Sequence, residues 1–300
     1  MIGALTPPVL HAWLGHLIEV ASVGLFGWVG LDLHRRRCQE HVELLIAALY
    51  GWLLETLDMR VFGTYHYGSV TWWWVGDVPV YIPLLWATIM HSSMALSDRA
   101  GLPVAVRPFL DGLLAVLIDL AIDAVAIRVG LWSWRIPLDA GWFGVPAGNL
   151  CAWMWVAAWY GGVTRLVRGR IDRRASPGWH RLLVPPVAYA GLFGCLFLIG
   201  ASGWLLGLTD QNARLWIFAA HAAAFTAVVA LARRGGGTDG VSPQSIPASL
   251  TWNRWLMHGS FALVLALSGI WTLVPALVAV SAGAMGLERW AQRWCERAGR

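Results

Sequence analysis

The run LLVPPVAYAGLFGCLFLIGASGWLLGL, residues 182–208, contains no charged side chain. It is longer than the ~20 apolar residues that a helix needs to cross a bilayer. Similar runs recur along the chain and predict helices at roughly 8–33, 42–57, 70–96, 103–130, 143–163, 182–208, 213–232 and 255–287. The pattern predicts an all-α, polytopic membrane bundle of about eight transmembrane helices, folded as one transmembrane domain over residues 1–300.

Composition agrees with a surface that faces lipid. Hydrophobic residues make up 58% of the chain and charged residues only 13%, whereas a soluble domain carries about a quarter. Tryptophan, which favours membrane interfaces, occurs 21 times. The net charge of +5 comes from arginines in loops and not from one basic face, which argues against a nucleic-acid partner.

The arginines also predict an orientation. They concentrate in the odd-numbered loops: Arg35–Arg37, Arg99 with Arg107, the stretch 165–181, and Arg233 with Arg234. Since basic loops stay in the cytoplasm, we expect a bacterial inner-membrane protein with its N-terminus outside. The tail 288–300 is also basic. It fits if the last apolar run breaks near Gly269 or Pro275 and returns, or if the tail lies on the membrane surface.

Two acids stand out inside the apolar run LLAVLIDLAIDAVAI, residues 113–127. Asp119 and Asp123 are four residues apart and therefore share one helix face. Two carboxylates this close in a low-dielectric medium do not both ionise, so one is expected to keep a proton. A retained proton suits a general acid. A structural pair bonded to backbone or to an arginine, and a metal-bound pair, are the alternatives.

Other acids at membrane depth are weaker candidates. Glu55 lies deep in the second predicted helix, whereas Asp58 is expected at the interface beside Arg60. His16 and Glu19 share a face, either as a proton relay or as a packing pair. Nearly all these acids fall within residues 1–160, the predicted catalytic half, and the second half, 180–290, is blander.

Aromatic residues cluster near the predicted membrane ends beside these acids. FGTYHYGSVTWWW contains Tyr65, Tyr67 and Trp74, and GLWSWRIP places Trp132 and Trp134 just after the Asp119/Asp123 helix. Interfacial anchoring accounts for many tryptophans. So many beside acids favour a pocket for an apolar polyene whose aromatic faces stabilise a cation.

These motifs together resemble the carotenoid biosynthesis membrane proteins, a family that includes carotenoid 1′,2′-hydratases of the bacterioruberin and γ-carotene pathways. The resemblance rests on four ordered stretches: FGTYHY after Glu55, GDVPVYIPLLW, LIDLAIDAVAIRVGLWSW, and GWFGVPAGNLCAW with Gly144, Pro146 and Asn149. Two features depart from the family pattern: Ala124 stands where the family usually has proline after the second aspartate, and the Gly76–Asp77 segment that leads into the third predicted helix is one residue longer than in the family. The acidic residues of the pattern are all present.

The resemblance implies hydration of a terminal isoprenoid double bond by a hydro-lyase with no cofactor and no metal. Asp119 or Asp123 would supply the proton, and Glu55 or Asn149 would hold the water. Candidate substrate-binding residues are Tyr65, Tyr67, Trp132, Trp134, Asn149, Trp74 and Asp77; Asp77 could instead cap the third helix. Expected partners are a carotenoid or other isoprenoid substrate, membrane lipid and other enzymes of the carotenoid pathway.

Other classes use similar residues. A proton-initiated terpene or carotenoid cyclase needs the same acid but excludes water. A membrane prenyltransferase binds Mg²⁺-diphosphate through paired acid-rich motifs, of which Asp119/Asp123 could be one. A proton-coupled transporter also buries acids, although no internal repeat is visible in the sequence.

Overall fold

The computed structural model describes residues 8–36, 40–172, 178–234 and 246–298. The chain is 78% helical, which confirms the all-α class. The helices are α1 (Pro8–Arg35), α2 (Glu40–Val61), α3 (Tyr81–Ser97), α4 (Arg107–Ala126), α5 (Ala147–Asp172), α6 (Val184–Leu205), α7 (Gln211–Arg234), α8 (Ala248–Ser268) and α9 (Val274–Ala298). Short 3₁₀ turns at Gly178–Leu183 and Trp271–Leu273 precede α6 and α9.

Four of the described helical stretches are long and apolar enough to cross a membrane. They are Trp13–Arg35, Gly178–Leu205, Gln211–Arg234 and Trp271–Ala291. Length and hydropathy therefore support a membrane protein directly, but they support only half of the roughly eight crossings expected from the sequence. Among the remaining helices, α2 alone carries four acids and one arginine.

The third helix begins later than predicted. Residues expected to open a helix at 70–96 form instead a small hairpin of β2 (Trp74–Val75) and β3 (Val78–Pro79), and α3 starts at Tyr81. Gly76, with φ of +65°, permits the tight turn between the strands. Asp77 lies in this turn, 3.6 Å from Arg60, and does not cap the helix as the alternative interpretation expected.

The last apolar run, expected as one helix over 255–287, is two antiparallel helices. Gly269 adopts φ of +68° and ends α8, since a left-handed residue terminates a helix. Buried Arg254 of α8 pairs with Glu288 of α9 at 2.5 Å, and His258 meets Ser281 at 3.2 Å. The chain thus breaks and returns, as one of the sequence-based alternatives held.

Helix α5 is longer than predicted, because arginines assigned to a loop are part of it. Arg165 donates to Asp111 at 2.5 Å and to Asp98 at 2.7 Å, and Arg168 donates to Glu43 at 2.5 Å. Paired charges can be buried where single ones cannot. This ion network joins α2, α3, α4 and α5 at one end of the bundle, which we call the basic end.

Parts of the predicted loops lie outside the described residues. These are Arg37, Arg173 and Arg174, most of the segment 235–249, and the last two residues of the basic tail.

Helix α4, which carries Asp119 and Asp123, is central. It packs against α3, α5, α7, α8 and α9, so that residues from both halves of the chain surround it. Gly112 and Gly161 permit the close approach of α4 and α5: a Cβ on either residue would overlap an atom of the other helix. Small residues have this role widely in membrane helix packing.

Candidate active site

A cleft opens at the end of the bundle opposite the ion network. Five helices contribute to its wall: α2, α3, α4, α5 and α6. The lining includes seven of the ten residues predicted for the site, namely Glu55, Tyr65, Tyr67, Asp123, Trp132, Trp134 and Asn149. The remaining surface is mostly aliphatic or aromatic, so the cleft suits an apolar ligand with a few fixed polar groups.

A two-stranded ribbon forms the aromatic wall. Strand β1 (Tyr65–Tyr67) pairs antiparallel with β4 (Trp132–Trp134), with Tyr65 opposite Trp134 and Tyr67 opposite Trp132. Alternate residues of a strand point to the same face, so all four rings lie on one side of the ribbon. Their centroids are 4.7 Å apart in the first pair and 6.2 Å in the second.

Two glycines explain how this ribbon fits. A Cβ on Gly68 would overlap the carbonyl oxygen of Gly130, and Gly130 itself has φ of +77°. The glycine that begins GLWSW is therefore required by the backbone, independently of the chemistry of the cleft.

Glu55 accepts three hydrogen bonds at the base of the ribbon. The hydroxyl groups of Tyr65 and Tyr67 both donate to Oε2, the second at 2.5 Å, and Trp86 Nε1 donates to Oε1 at 2.6 Å. Burial first, and then the neighbouring carboxylate, raises the pKa of both tyrosines well above the usual value. The phenols thus remain protonated, and both donate to the Glu55 carboxyl group.

The aspartate pair is held by one amide. Asn149 Nδ2 donates to Asp123 Oδ2 at 2.8 Å and to Asp119 Oδ2 at 3.2 Å. Asn149 lies in the first turn of α5, the end of a helix that carries partial positive charge. Asp123 reaches the cleft wall, whereas Asp119 is fully buried behind it. Trp132 and Trp134 of the ribbon line the same cleft as Asp123.

Three further residues of the cleft were missed as site residues. The rings of Trp86 and Trp153 pack together at a tilt of 31° with centroids 4.0 Å apart. Asp58, expected at the interface, lies in the lining one turn after Glu55. Spacing could have identified them, since Ile82, Trp86 and Ile89 repeat at helical intervals, as do Asn149, Trp153 and Val156.

Trp74 and Asp77, the other predicted binding residues, lie outside the cleft. Both are in the β2–β3 hairpin, where Trp74 is exposed and Asp77 faces Arg60. The hairpin is held from α1: the buried Glu19 carboxylate accepts the backbone N–H groups of Trp72 at 2.9 Å and Trp73 at 2.8 Å. His16 stacks on Trp72 at 3.7 Å, so His16 and Glu19 act as packing partners of the hairpin.

Replacing Glu19 with glutamine is expected to loosen this hairpin. The glutamine amide has the same volume as the carboxylate, but its N–H₂ group takes the place of one of the two acceptor oxygens and would face a backbone N–H. Leaving a buried donor without an acceptor costs about 1–3 kcal/mol. We expect hydrogen exchange at the Trp72 and Trp73 amides to accelerate roughly 5- to 150-fold, with exposed Asp139→Asn as the control. Unchanged exchange in Glu19→Gln would show that the hairpin is held by other contacts.

Comparison with known proteins adds one finding. A family model described as "Carotenoid biosynthesis protein" matches residues 13–208, a range that contains every residue of the cleft wall. No protein of curated function and no solved structure matches the chain.

Proposed function

The chain belongs to the carotenoid biosynthesis protein family, and from this premise we propose that it adds water to a terminal isoprenoid double bond of a carotenoid or similar polyene. The observation that carries the proposal is the composition of the cleft. An acid pair, a hydrogen-bonded carboxylate and a wall of aromatic rings meet in one apolar space.

The first step would be protonation by Asp123. Because Asp119 and Asp123 lie on one helix face and accept from a single amide group, one proton is shared between two carboxyl groups that repel each other when both are charged. Asp123 is the member on the cleft wall. Transfer of its proton to the less substituted alkene carbon leaves a tertiary carbocation at the neighbouring carbon.

The cation would be stabilised by charge and by aromatic faces. Trp132, Trp134 and the tilted Trp86–Trp153 pair line the space, and indole faces attract cations. In this proposal an ionised Glu55 would add negative charge beside the cation, and its three donors would fix its position so that little reorganisation is needed when positive charge develops.

Water capture would complete the reaction. Asn149 directs its N–H₂ group to the two aspartates, and its carbonyl oxygen is a candidate acceptor for the attacking water. When water adds to the cation, its surplus proton returns to the aspartate pair. The net change is one water added and no electrons transferred.

The polyene would enter from the lipid. Leu192 and Leu196 of α6 form part of the cleft wall, and Phe193 and Phe197 of the same helix are exposed. In this proposal the second half of the chain supplies apolar side chains to the cleft wall, and the first half supplies all of its polar groups.

We also propose that the basic end of the bundle faces the cytoplasm of a bacterial inner membrane, with the N-terminus outside. The ion network, Arg233 and Arg234 lie at this end, and Arg233 stacks on Trp290 of α9 at 4.2 Å. The returning α9 thus carries the basic tail toward the same end, which agrees with the positive-inside rule when all nine described helices cross, because an odd number of crossings puts the two termini on opposite sides.

Product analysis tests the proposed reaction. The full chain would be expressed in cells that accumulate acyclic carotenoids such as lycopene, beside an Asp119→Asn/Asp123→Asn control of equal membrane abundance. We expect a product heavier by one water that the control lacks. An isomer of unchanged mass would indicate cyclisation, and no new product with folded protein in the membrane would contradict hydration of this substrate class.

A further inference from the structure

A second apolar groove opens on the surface of the molecule, away from the cleft. It lies between α4, α7 and α9, and we call it the α4/α7/α9 groove. Its walls include Leu113 and Leu117 of α4, Ala222 and Thr226 of α7, and Gly283 and Leu287 of α9. None of these residues lines the cleft of the proposed function.

Small side chains leave the groove open along its length. Ala222, Thr226 and Ala230 follow one face of α7 at four-residue intervals, and a Cβ built on Gly283 meets no described atom within 4 Å. The Thr226 hydroxyl donates to the Ala222 carbonyl at 2.7 Å and so presents no unsatisfied group to the groove. The space between the three helices thus suits a hydrocarbon chain.

One end of the groove is cationic. Arg233 and Arg234, in the last turn of α7, both line it, and the Arg233 guanidinium lies 4.2 Å from the centroid of the Trp290 ring. Stacking on an indole orients the planar guanidinium, which suits the oxygens of a phosphate. No acidic side chain lines the described groove.

The groove is long enough to hold the acyl chain of a lipid. From Arg234 to Phe218, a helix rises roughly 24 Å, which exceeds one leaflet of a hydrocarbon core that is about 30 Å thick. Helix α7 is itself long and apolar enough to span the membrane, so its terminal arginines lie at the level of the phosphates.

We propose that the α4/α7/α9 groove holds an acyl chain of an anionic phospholipid whose headgroup phosphate lies against Arg233 and Arg234. A basic pocket between transmembrane helices is the kind of site that selects anionic headgroups. The site is separate from the cleft, and the proposal does not depend on which reaction the cleft performs.

The test counts bound lipid on the purified full chain by native mass spectrometry. The probes are phosphatidylglycerol and phosphatidylcholine with identical acyl chains, and inorganic phosphate as a competitor. We expect phosphatidylglycerol to bind at least roughly fivefold more tightly than phosphatidylcholine, and Arg234→Gln to remove most of this preference. Arg170→Gln, an exposed arginine near the end of α5, is the matched control and should change nothing.

Two further variants test the two parts of the site. Gly283→Leu fills the groove without touching the arginines and should weaken both lipids. Arg233→Lys keeps the charge but not the stacked planar guanidinium and should retain part of the preference, whereas Arg233→Gln should lose it.

Three results would overturn the proposal: equal binding of the two lipids to the unaltered chain, unchanged binding in Gly283→Leu, or full displacement of lipid by inorganic phosphate. The last two would indicate a headgroup patch without a groove.

Discussion

Asp123→Asn is expected to lower product formation by at least about 10²-fold, because a positioned general acid contributes about 10² to 10⁴ in rate. Asparagine keeps the shape of the side chain and can still meet Asn149, but it has no acidic proton to give. The loss should therefore appear in turnover and leave the amount of folded protein in the membrane unchanged. The measurement is hydrated carotenoid formed per unit of purified protein.

Asp119→Asn provides the comparison on the same helix. Asp119 is buried behind Asp123 and does not line the cleft, so its role would be to share the proton and to hold Asn149. We expect this variant to retain at least roughly ten times the activity of Asp123→Asn, a difference within the range of a general-acid effect. Equal losses would mean that the two carboxyl groups act as one unit, and an active Asp123→Asn would exclude Asp123 as the acid.

Arg165→Met is expected to destabilise the protein by about 3–5 kcal/mol, the usual cost of stranding a buried charge. The guanidinium donates to Asp111 and Asp98 and to the hydroxyl of Ser97 at 2.7 Å. Only 5% of the Arg165 side chain and 1% of the Asp111 side chain are exposed, so solvent cannot replace the lost partner. The measurement is the thermal midpoint of the purified protein in detergent, followed by size-exclusion chromatography.

Two variants separate charge burial from loss of packing. Arg170→Gln removes an exposed arginine from the same helix and should leave the midpoint unchanged. Adding Asp111→Asn to Arg165→Met removes one of the stranded charges and should recover part of the loss, since residues in one network do not act additively. A double variant less stable than Arg165→Met alone would refute the network explanation.

Much of the cleft could be predicted from the sequence because its ionisable side chains stand out within otherwise apolar runs. Asp119 and Asp123 were recognisable as a pair from their spacing, and Glu55 from its depth in a helix. Tyr65, Tyr67, Trp132 and Trp134 were recognisable from their motifs. The sequence analysis did not predict that YHY and WSW are paired strands. The alternation of aromatic and small or polar residues in both segments is typical of a strand. Trp74 resembles these aromatic residues in sequence but lies in the β2–β3 hairpin, outside the ribbon.

Hydropathy alone determined the class of the protein, because an uncharged run such as residues 182–208 is stable only in a low-dielectric environment. The resemblance of the motifs determined the family, which the match over residues 13–208 confirms. Tertiary structure alone decided where the charged residues of α2, α4 and α5 are neutralised. Arg165 looked like a loop residue until Asp98 and Asp111, distant in sequence, were seen to pair with it. It also decided which aspartate meets the cleft, because both share one helix face and only the packing of the surrounding elements buries Asp119 while leaving Asp123 at the cleft wall.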